Sequence, residues 1–202
     1  MKIISQLGNT DVYKMLKDTG AILDGHFKLT SGYHSRYYLQ CARLLEHPSV
    51  TLRLIESGLM EYDIFFNGTY RKKLDTVISP AIGGILFGYM LALKLDRRMI
   101  FTERKDKNME LRRGFEIRPG ENVIIAEDVI TTGGSVFEVI DICRALKANI
   151  TAVISIVDRS EDIIFNYPYF SFIKLNIDKY LPDDCPLCRQ GMEIQYPGSR
   201  KQ

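Results

Sequence analysis

Two adjacent acids, Glu127 and Asp128, follow the apolar run Val123, Ile124, Ile125 and Ala126, and a turn of hydroxyls and glycines, Thr131, Thr132, Gly133, Gly134 and Ser135, comes just after them. A continuous apolar run of this length reads as a strand buried on both faces, so the carboxylates are expected at its end, where they suggest a site. The turn precedes Val136, Val139, Ile140 and Cys143, which recur at helical spacing. Unhindered N–H groups at the start of that helix, with the positive end of its dipole, form a cradle for a phosphate. The turn carries no lysine, which excludes a Walker A loop. Paired carboxylates just before such a cradle accept hydrogen bonds from hydroxyls. A sugar phosphate therefore fits, with its phosphate on residues 131–135 and its ribose hydroxyls on Glu127 and Asp128.

Two further segments carry chemistry of the same kind. Ser79-Pro80-Ala81-Ile82-Gly83-Gly84 follows the apolar pair Val77-Ile78, with glycines where backbone would approach a ligand closely. The segment 103–115, E-R-K-D-K-N-M-E-L-R-R-G-F, carries Arg104, Lys105, Lys107, Arg112 and Arg113. Five cations in so short a connection repel one another, so the loop is expected to be mobile until an anion such as pyrophosphate orders it. Its closure would exclude water and set positive charge against a leaving group.

The elements that position these segments alternate along the chain. A helix is expected over 11–19 with Gly20 stopping it, a hairpin over 26–41 turning at Ser31-Gly32, and a helix over 52–60. A strand over 77–80, a helix from Gly83 to Leu95 and a short strand over 99–101 form one strand–loop–helix unit, and residues 123–143 open a second. Further β-rich runs at 152–157 and 170–177 complete an α/β pattern, a doubly wound, mostly parallel sheet that places ligands beyond the carboxyl ends of its strands. The 202 residues suffice for one well-buried domain. A net charge of +2 points to no nucleic-acid or membrane partner. No apolar stretch approaches a membrane span, no secretory signal is apparent, and the four cysteines do not form a disulfide framework, so the cytoplasm is the expected address. Cys185 and Cys188, in the tail 182–199, supply half of a zinc site with no second pair nearby, which argues against metal binding within a monomer, and His26, His34 and His47 are too scattered in sequence to make a site without three-dimensional help. The C-x-x-C is read as structural, with a zinc shared between subunits or a redox pair as alternatives.

The run 123–135 resembles the signature of the type I phosphoribosyltransferases, which bind 5-phosphoribosyl 1-pyrophosphate (PRPP): a hydrophobic run, two acids, two apolar residues, then small and hydroxylated residues. The resemblance extends to the orotate enzymes of that family. Phe27-Lys28-Leu29-Thr30-Ser31-Gly32, with Ser35 and Tyr37-Tyr38, is similar to their N-terminal hood segment, although Thr30 stands where some members have lysine. L-R-R-G-F in the cationic segment resembles their short-loop bacterial and archaeal form. A basic residue that some members carry in the 79–84 loop is replaced by Ile82 or Gly83, so pyrophosphate would be neutralised by magnesium and the 103–115 loop.

The resemblance implies a single domain over 1–202, with a core over about 50–180 and a hood from 1–45 plus part of the tail. It implies PRPP binding by Glu127, Asp128, Val129, Ile130, Thr131, Thr132, Gly133, Gly134 and Ser135, with pyrophosphate against Ala81 and Gly84. Arg104, Lys105 and Lys107 would act catalytically beside Glu127 and Asp128, with the choice between the two lysines open. Orotate would meet Thr131, Tyr38 and Arg159, whose planar guanidinium suits a carboxylate. Magnesium would be held mainly by PRPP and water, and a homodimer would carry loop 103–115 into the neighbouring site. A purine-specific relative and a PRPP-sensing regulator without catalysis are the competing readings.

Overall fold

The computed structural model describes residues 2–4, 9–29, 31–66, 73–161 and 163–197. Thr30, Gly198 and Ser199, from segments noted above, lie outside them. A seven-stranded sheet runs in the order β1 (Lys2–Ile4), β9 (Tyr169–Lys174), β8 (Asn149–Asp158), β7 (Asn122–Ile130), β4 (Thr76–Pro80), β5 (Arg98–Lys105) and β6 (Asn108–Leu111). Every neighbouring pair is parallel except β5 and β6. This is the doubly wound arrangement expected from the alternation of strands and helices.

The central position of β7 explains its composition. Val123 and Ile125 enter one apolar core and Ile124 and Ala126 the other, so each successive side chain is buried on an opposite face. The strand does not end at the acids, as the sequence suggested. Val129 and Ile130 continue to pair with Val157 and Asp158, so Glu127 and Asp128 lie within the strand and are held by its ladder.

Two helices leave this centre on opposite faces. We number them in chain order after α1 (Asn9–Asp18), α2 (Ala42–Leu45) and α3 (Pro48–Phe66). Helix α4 (Gly83–Leu95) crosses from β4 to β5 and buries Phe87 and Leu91 in one core, while α5 (Gly134–Ala145) crosses from β7 to β8 and buries Val136, Val139 and Cys143 in the other. Because β4 and β7 are neighbours whose connections diverge, a crevice opens between their carboxyl ends, at the switch point where such sheets bind ligands.

A helix over 52–60 proves to be part of the longer α3, which begins at Pro48 and buries Thr51, Ile55, Leu59 and Tyr62 at helical spacing. The expected short strand 99–101 is the eight-residue β5, and the last strand ends at Lys174 rather than 177. Segment 103–115 differs most from expectation. It is an antiparallel hairpin in which Lys105 pairs with Asn108 across a two-residue turn. Asp106 (φ 50°) and Lys107 (φ 78°) both adopt the left-handed region that such tight hairpin turns require.

A second, two-stranded antiparallel sheet, β2 (Ile22–Lys28) with β3 (His34–Leu39), carries the paired aromatics Tyr37 and Tyr38. The tail lies along it. Tyr180 and His34 exchange backbone hydrogen bonds at 2.8 Å, and the Gln195 N–H donates to the His26 carbonyl at 2.7 Å. Residues 186–189 form the short helix α6 (Pro186–Arg189), with Cys185 just before it. This packing corrects the expectation that the cysteines have no second pair of ligand residues nearby: His26 and His34 lie beside Cys185 and Cys188.

Gly58 on α3 faces the ring of Phe172, which is packed edge-on against Phe87 and Phe170, so a β-carbon at residue 58 would overlap ring atoms that have nowhere to move. Gly58→Val is expected to lower unfolding free energy by about 1–3 kcal/mol through overpacking. Ser57→Ala, on the exposed face, should stay within about 0.5 kcal/mol of wild type in urea unfolding.

Candidate active site

The first turn of α4 lies directly against the acids of β7. A β-carbon on Gly83 would stand 2.7 Å from Asp128 Oδ1, and one on Gly84 would stand 3.0 Å from Glu127 Oε1 and from the Ala126 carbonyl. Glycine is required at both positions because the carboxylates occupy the space of a side chain. The loop before it is anchored by the Ala81 N–H, which donates to the Thr102 carbonyl at 2.7 Å. Gly83 and Gly84 are thus placed beside Asp128 and Glu127, and Ala81 lies in the loop that leads into them.

Burial, and then the neighbouring Asp128 charge, push the Glu127 carboxyl well above the usual carboxylate range. Among the described residues no lysine or arginine forms an ion pair with either acid. The pair is therefore a concentration of unneutralised carboxylate oxygen at the floor of the crevice. Cys41, which the sequence reading did not single out, is buried close to both acids and to Arg159. Its thiol is pushed up by burial first and by Asp128 second, so it stays protonated.

Past the acids, Thr131–Ser135 and α5 wall a cleft of about 470 Å³ that also receives Arg104 and Glu138. The first amides of α5 have no carbonyl to donate to within the helix, and they face this cleft. Gly133, at φ 73°, turns the chain into the helix in a conformation that L side chains rarely adopt, and Ile163 occupies the position its β-carbon would need.

The cations of the hairpin are not left to repel one another. Arg104 makes a two-pronged pair with Glu138 of α5, at 2.5 and 3.0 Å, and also donates to the Lys107 carbonyl at 2.9 Å. Arg112 donates to Glu103 at 2.7 Å, and Arg113 donates to the same carboxylate at 3.1 Å. Internal carboxylates therefore partner Arg104, Arg112 and Arg113. Arg104 reaches the cleft, whereas Lys105 and Lys107 are exposed on the hairpin and do not line it. Glu138 was missed by sequence reasoning. Its one signal was an acid in the first turns of the phosphate-cradling helix.

Thr131 and Thr132 separate this cleft from a second, of about 520 Å³, lined by Phe137, Arg159, Ile164 and Lys179. Arg159 follows β8, and its N–H donates to the Ile130 carbonyl at 2.8 Å, which ties it to the end of the acid-bearing strand. Asp158 holds the turn by accepting hydrogen bonds from the Ser160 N–H at 2.8 Å and its hydroxyl at 2.5 Å. The half-buried guanidinium of Arg159 has its pKa lowered by burial, partly offset by Tyr38 and Cys41 nearby. Its Nε is buried without a hydrogen-bond partner among the described residues. Tyr38 approaches from β3, with its ring against Phe27 at 5.8 Å. Lys179, a second cation on this side, had no distinguishing signal in the sequence.

The crevice thus joins four features: a glycine loop, an acid pair, a phosphate-sized cradle, and, beyond a shared threonine, a planar cation whose Nε has no hydrogen-bond partner among the described residues. A family model described as the phosphoribosyl transferase domain matches residues 51–187. The chain is 49% identical over 195 residues to the orotate phosphoribosyltransferase of Caldicellulosiruptor saccharolyticus, covering 96% of this chain and 98% of that protein. It is 44% identical over 193 residues to the enzyme of the same name from Thermotoga maritima, covering 94% and 98%. Among solved structures, orotate phosphoribosyltransferase from Aeropyrum pernix matches with a TM-score of 0.58 at 25% identity over 92% of this chain and 91% of that one. Adenine phosphoribosyltransferase from Trypanosoma brucei shares the fold, with a TM-score of 0.63 at 15% identity over 86% and 83%. The chain therefore belongs to the phosphoribosyltransferase family and, within it, to the orotate phosphoribosyltransferases.

Proposed function

We propose that this enzyme transfers the 5-phosphoribosyl group of PRPP to N1 of orotate, giving orotidine 5'-monophosphate and pyrophosphate in pyrimidine synthesis in the cytoplasm. The observation that carries the choice of base is Arg159, a half-buried guanidinium with an unpartnered Nε on the far side of Thr131 from the phosphate cradle. A carboxylate on a flat base satisfies it, and a purine offers none.

The residues act in sequence along the crevice. Amides of 131–135 bind the 5-phosphate at the N-terminus of α5. Glu127 and Asp128 accept hydrogen bonds from the ribose hydroxyls, and their negative charge favours the cationic character that builds on the ring as the bond from C1' to the pyrophosphate oxygen lengthens. Pyrophosphate lies against Ala81 and Gly84, with Arg104 placed to stabilise it as it departs. The new bond forms from orotate N1 to C1' on the opposite side, with Tyr38 and Arg159 orienting the base. Magnesium fits this site, since an unneutralised acid pair beside a phosphate cradle is the oxygen-rich environment a hard divalent cation takes together with substrate phosphates. Glu127 and Asp128 would face it, mainly through water and the PRPP hydroxyls, and when bound it supplies neutralisation of the pyrophosphate charge.

Two features support a homodimer. Ile82, Leu86, Tyr89 and Leu93 form an exposed apolar stripe along α4, with relative exposures of 85%, 54%, 60% and 61%. Spacing of four, three and four residues is that of a helix seam, and a second copy of the same helix is its self-complementary partner. Lys105 and Lys107, held away from their own cleft, are then available to the neighbouring one, where either would meet the pyrophosphate.

With PRPP and magnesium, nucleotide should form from orotate and not from adenine or hypoxanthine. Arg159→Gln should raise KM for orotate at least tenfold while leaving KM for PRPP near wild type, since a charge-assisted pair to a carboxylate is worth about 1.5–3 kcal/mol. Turnover of a purine with none of orotate would refute the assignment. In sedimentation experiments Leu86→Glu is expected to give monomers and, because a hairpin supplied in trans is lost, activity should fall with the dimer. A monomeric variant that retained full turnover would exclude trans donation.

The raised pKa of Glu127 has a stability signature. Between its ordinary and its folded value the native state holds a proton that the unfolded chain has lost. Its contribution is therefore complete below the ordinary glutamate value and is lost as pH rises through the folded one. Glu127→Gln, which cannot ionise, should flatten this decline in urea midpoints of the ligand-free protein.

A further inference from the structure

The hairpin β2–β3 and the tail meet at four side chains that the transfer reaction does not use. His26 Nε2, His34 Nδ1, Cys185 Sγ and Cys188 Sγ all lie within 4.8 Å of one another. His26 Nε2 is 3.0 Å from His34 Nδ1, 3.6 Å from Cys185 Sγ and 3.7 Å from Cys188 Sγ, and His34 Nδ1 is 3.3 Å from Cys188 Sγ. A tetrahedral zinc with bonds of about 2.0–2.1 Å to nitrogen and about 2.3 Å to sulfur would set its ligand atoms roughly 3.4–3.8 Å apart. These four separations are within about 0.4 Å of that figure, and no two of the four atoms are more than 4.8 Å apart.

The protonation pattern is also that of a ligand set. His26 Nδ1 lies 2.8 Å from the Met192 carbonyl, which only accepts, so Nδ1 carries the proton and Nε2 directs its lone pair into the cluster. Outer-shell carbonyls orient metal-bound imidazoles in this way. His26, His34 and Cys185 are buried, and neither thiol is in a disulfide. Two thiolates and a divalent ion sum to zero charge, which suits a buried position. The two cysteines flank the start of the four-residue helix α6 with the C-x-x-C spacing of zinc sites.

From this geometry we propose that His26, His34, Cys185 and Cys188 bind one structural zinc ion that fastens the C-terminal tail to the β2–β3 hairpin. The backbone pairing brackets the site on both sides, at His34 with Tyr180 and at Phe27 with Gln195. Neither the two-stranded sheet nor the short helix has a large core of its own, and a metal crosslink is a usual substitute in elements this small. Tetrahedral N₂S₂ coordination selects zinc over magnesium or calcium, which prefer oxygen. The site is separate from the acid pair of the crevice and does not depend on the substrate assigned there.

The test uses the full chain, without a histidine tag, purified under reducing conditions and dialysed against zinc and then against metal-free buffer. Elemental analysis should find about one zinc per chain. Replacement by cobalt should give the visible bands of a tetrahedral thiolate site. Cys188→Ser and His34→Asn should each abolish stoichiometric retention, His47→Ala should retain it, and stripping wild type with a strong chelator should lower its melting temperature. Because a variant can lose metal by failing to fold, the cobalt spectrum of the wild type stands as independent evidence. Sub-stoichiometric zinc with both thiols reduced and no cobalt bands would overturn the proposal, as would a Cys185–Cys188 disulfide that forms equally well in the presence of zinc.

Discussion

The arrangement of the site follows from one close approach, that of the first turn of α4 to the acids of β7. Neighbouring parallel strands whose crossover helices leave on opposite faces must part at their carboxyl ends, and the gap is filled here by Glu127 and Asp128 rather than by apolar packing. Gly83 and Gly84 let the helix backbone come within van der Waals range of the two carboxylates. A side chain at either position would push α4 away from β7 and take the 79–84 loop with it. The same constraint raises the Glu127 pKa, because burial is tolerated only while the second charge is screened or the proton retained. What neutralises these acids during turnover must therefore arrive with the substrate.

The cations are organised in the opposite sense. Three of those on the hairpin segment have carboxylate partners, Arg104 in Glu138 and Arg112 and Arg113 in a shared Glu103. These pairs are exposed on the arginine side, and such pairs contribute little to stability, so their effect is on position. Arg159 has no such carboxylate among the described residues, and its side of the crevice is correspondingly ready for an anion of its own.

Much of this was legible in the sequence because it is local. The apolar run before Glu127, the small hydroxylated turn and the helical spacing from Val136 to Cys143 are contiguous, and each reports a strand buried on both faces or a helix start directly. The length of β7 was misjudged because two charges look like a strand end, whereas ladder bonds to β8 carry the strand through them. Features that depend on pairing across the fold left no trace. Glu138 is 34 positions from Arg104, and Cys185 is 159 from His26. Alternation, capping and turn rules act over a few residues, so they are blind to such partners.

The histidine pair shows where local reasoning could have gone further. His26 and His34 are eight residues apart and straddle the Ser31-Gly32 turn, so a hairpin there already brings them close, with His34 opposite Lys28 and His26 two residues further along β2. What the hairpin alone does not reveal is that the tail returns to the same face. That return connects the two ends of the chain to the crevice, since β3 carries both His34 and Tyr38, and Tyr38 in turn lies near Arg159.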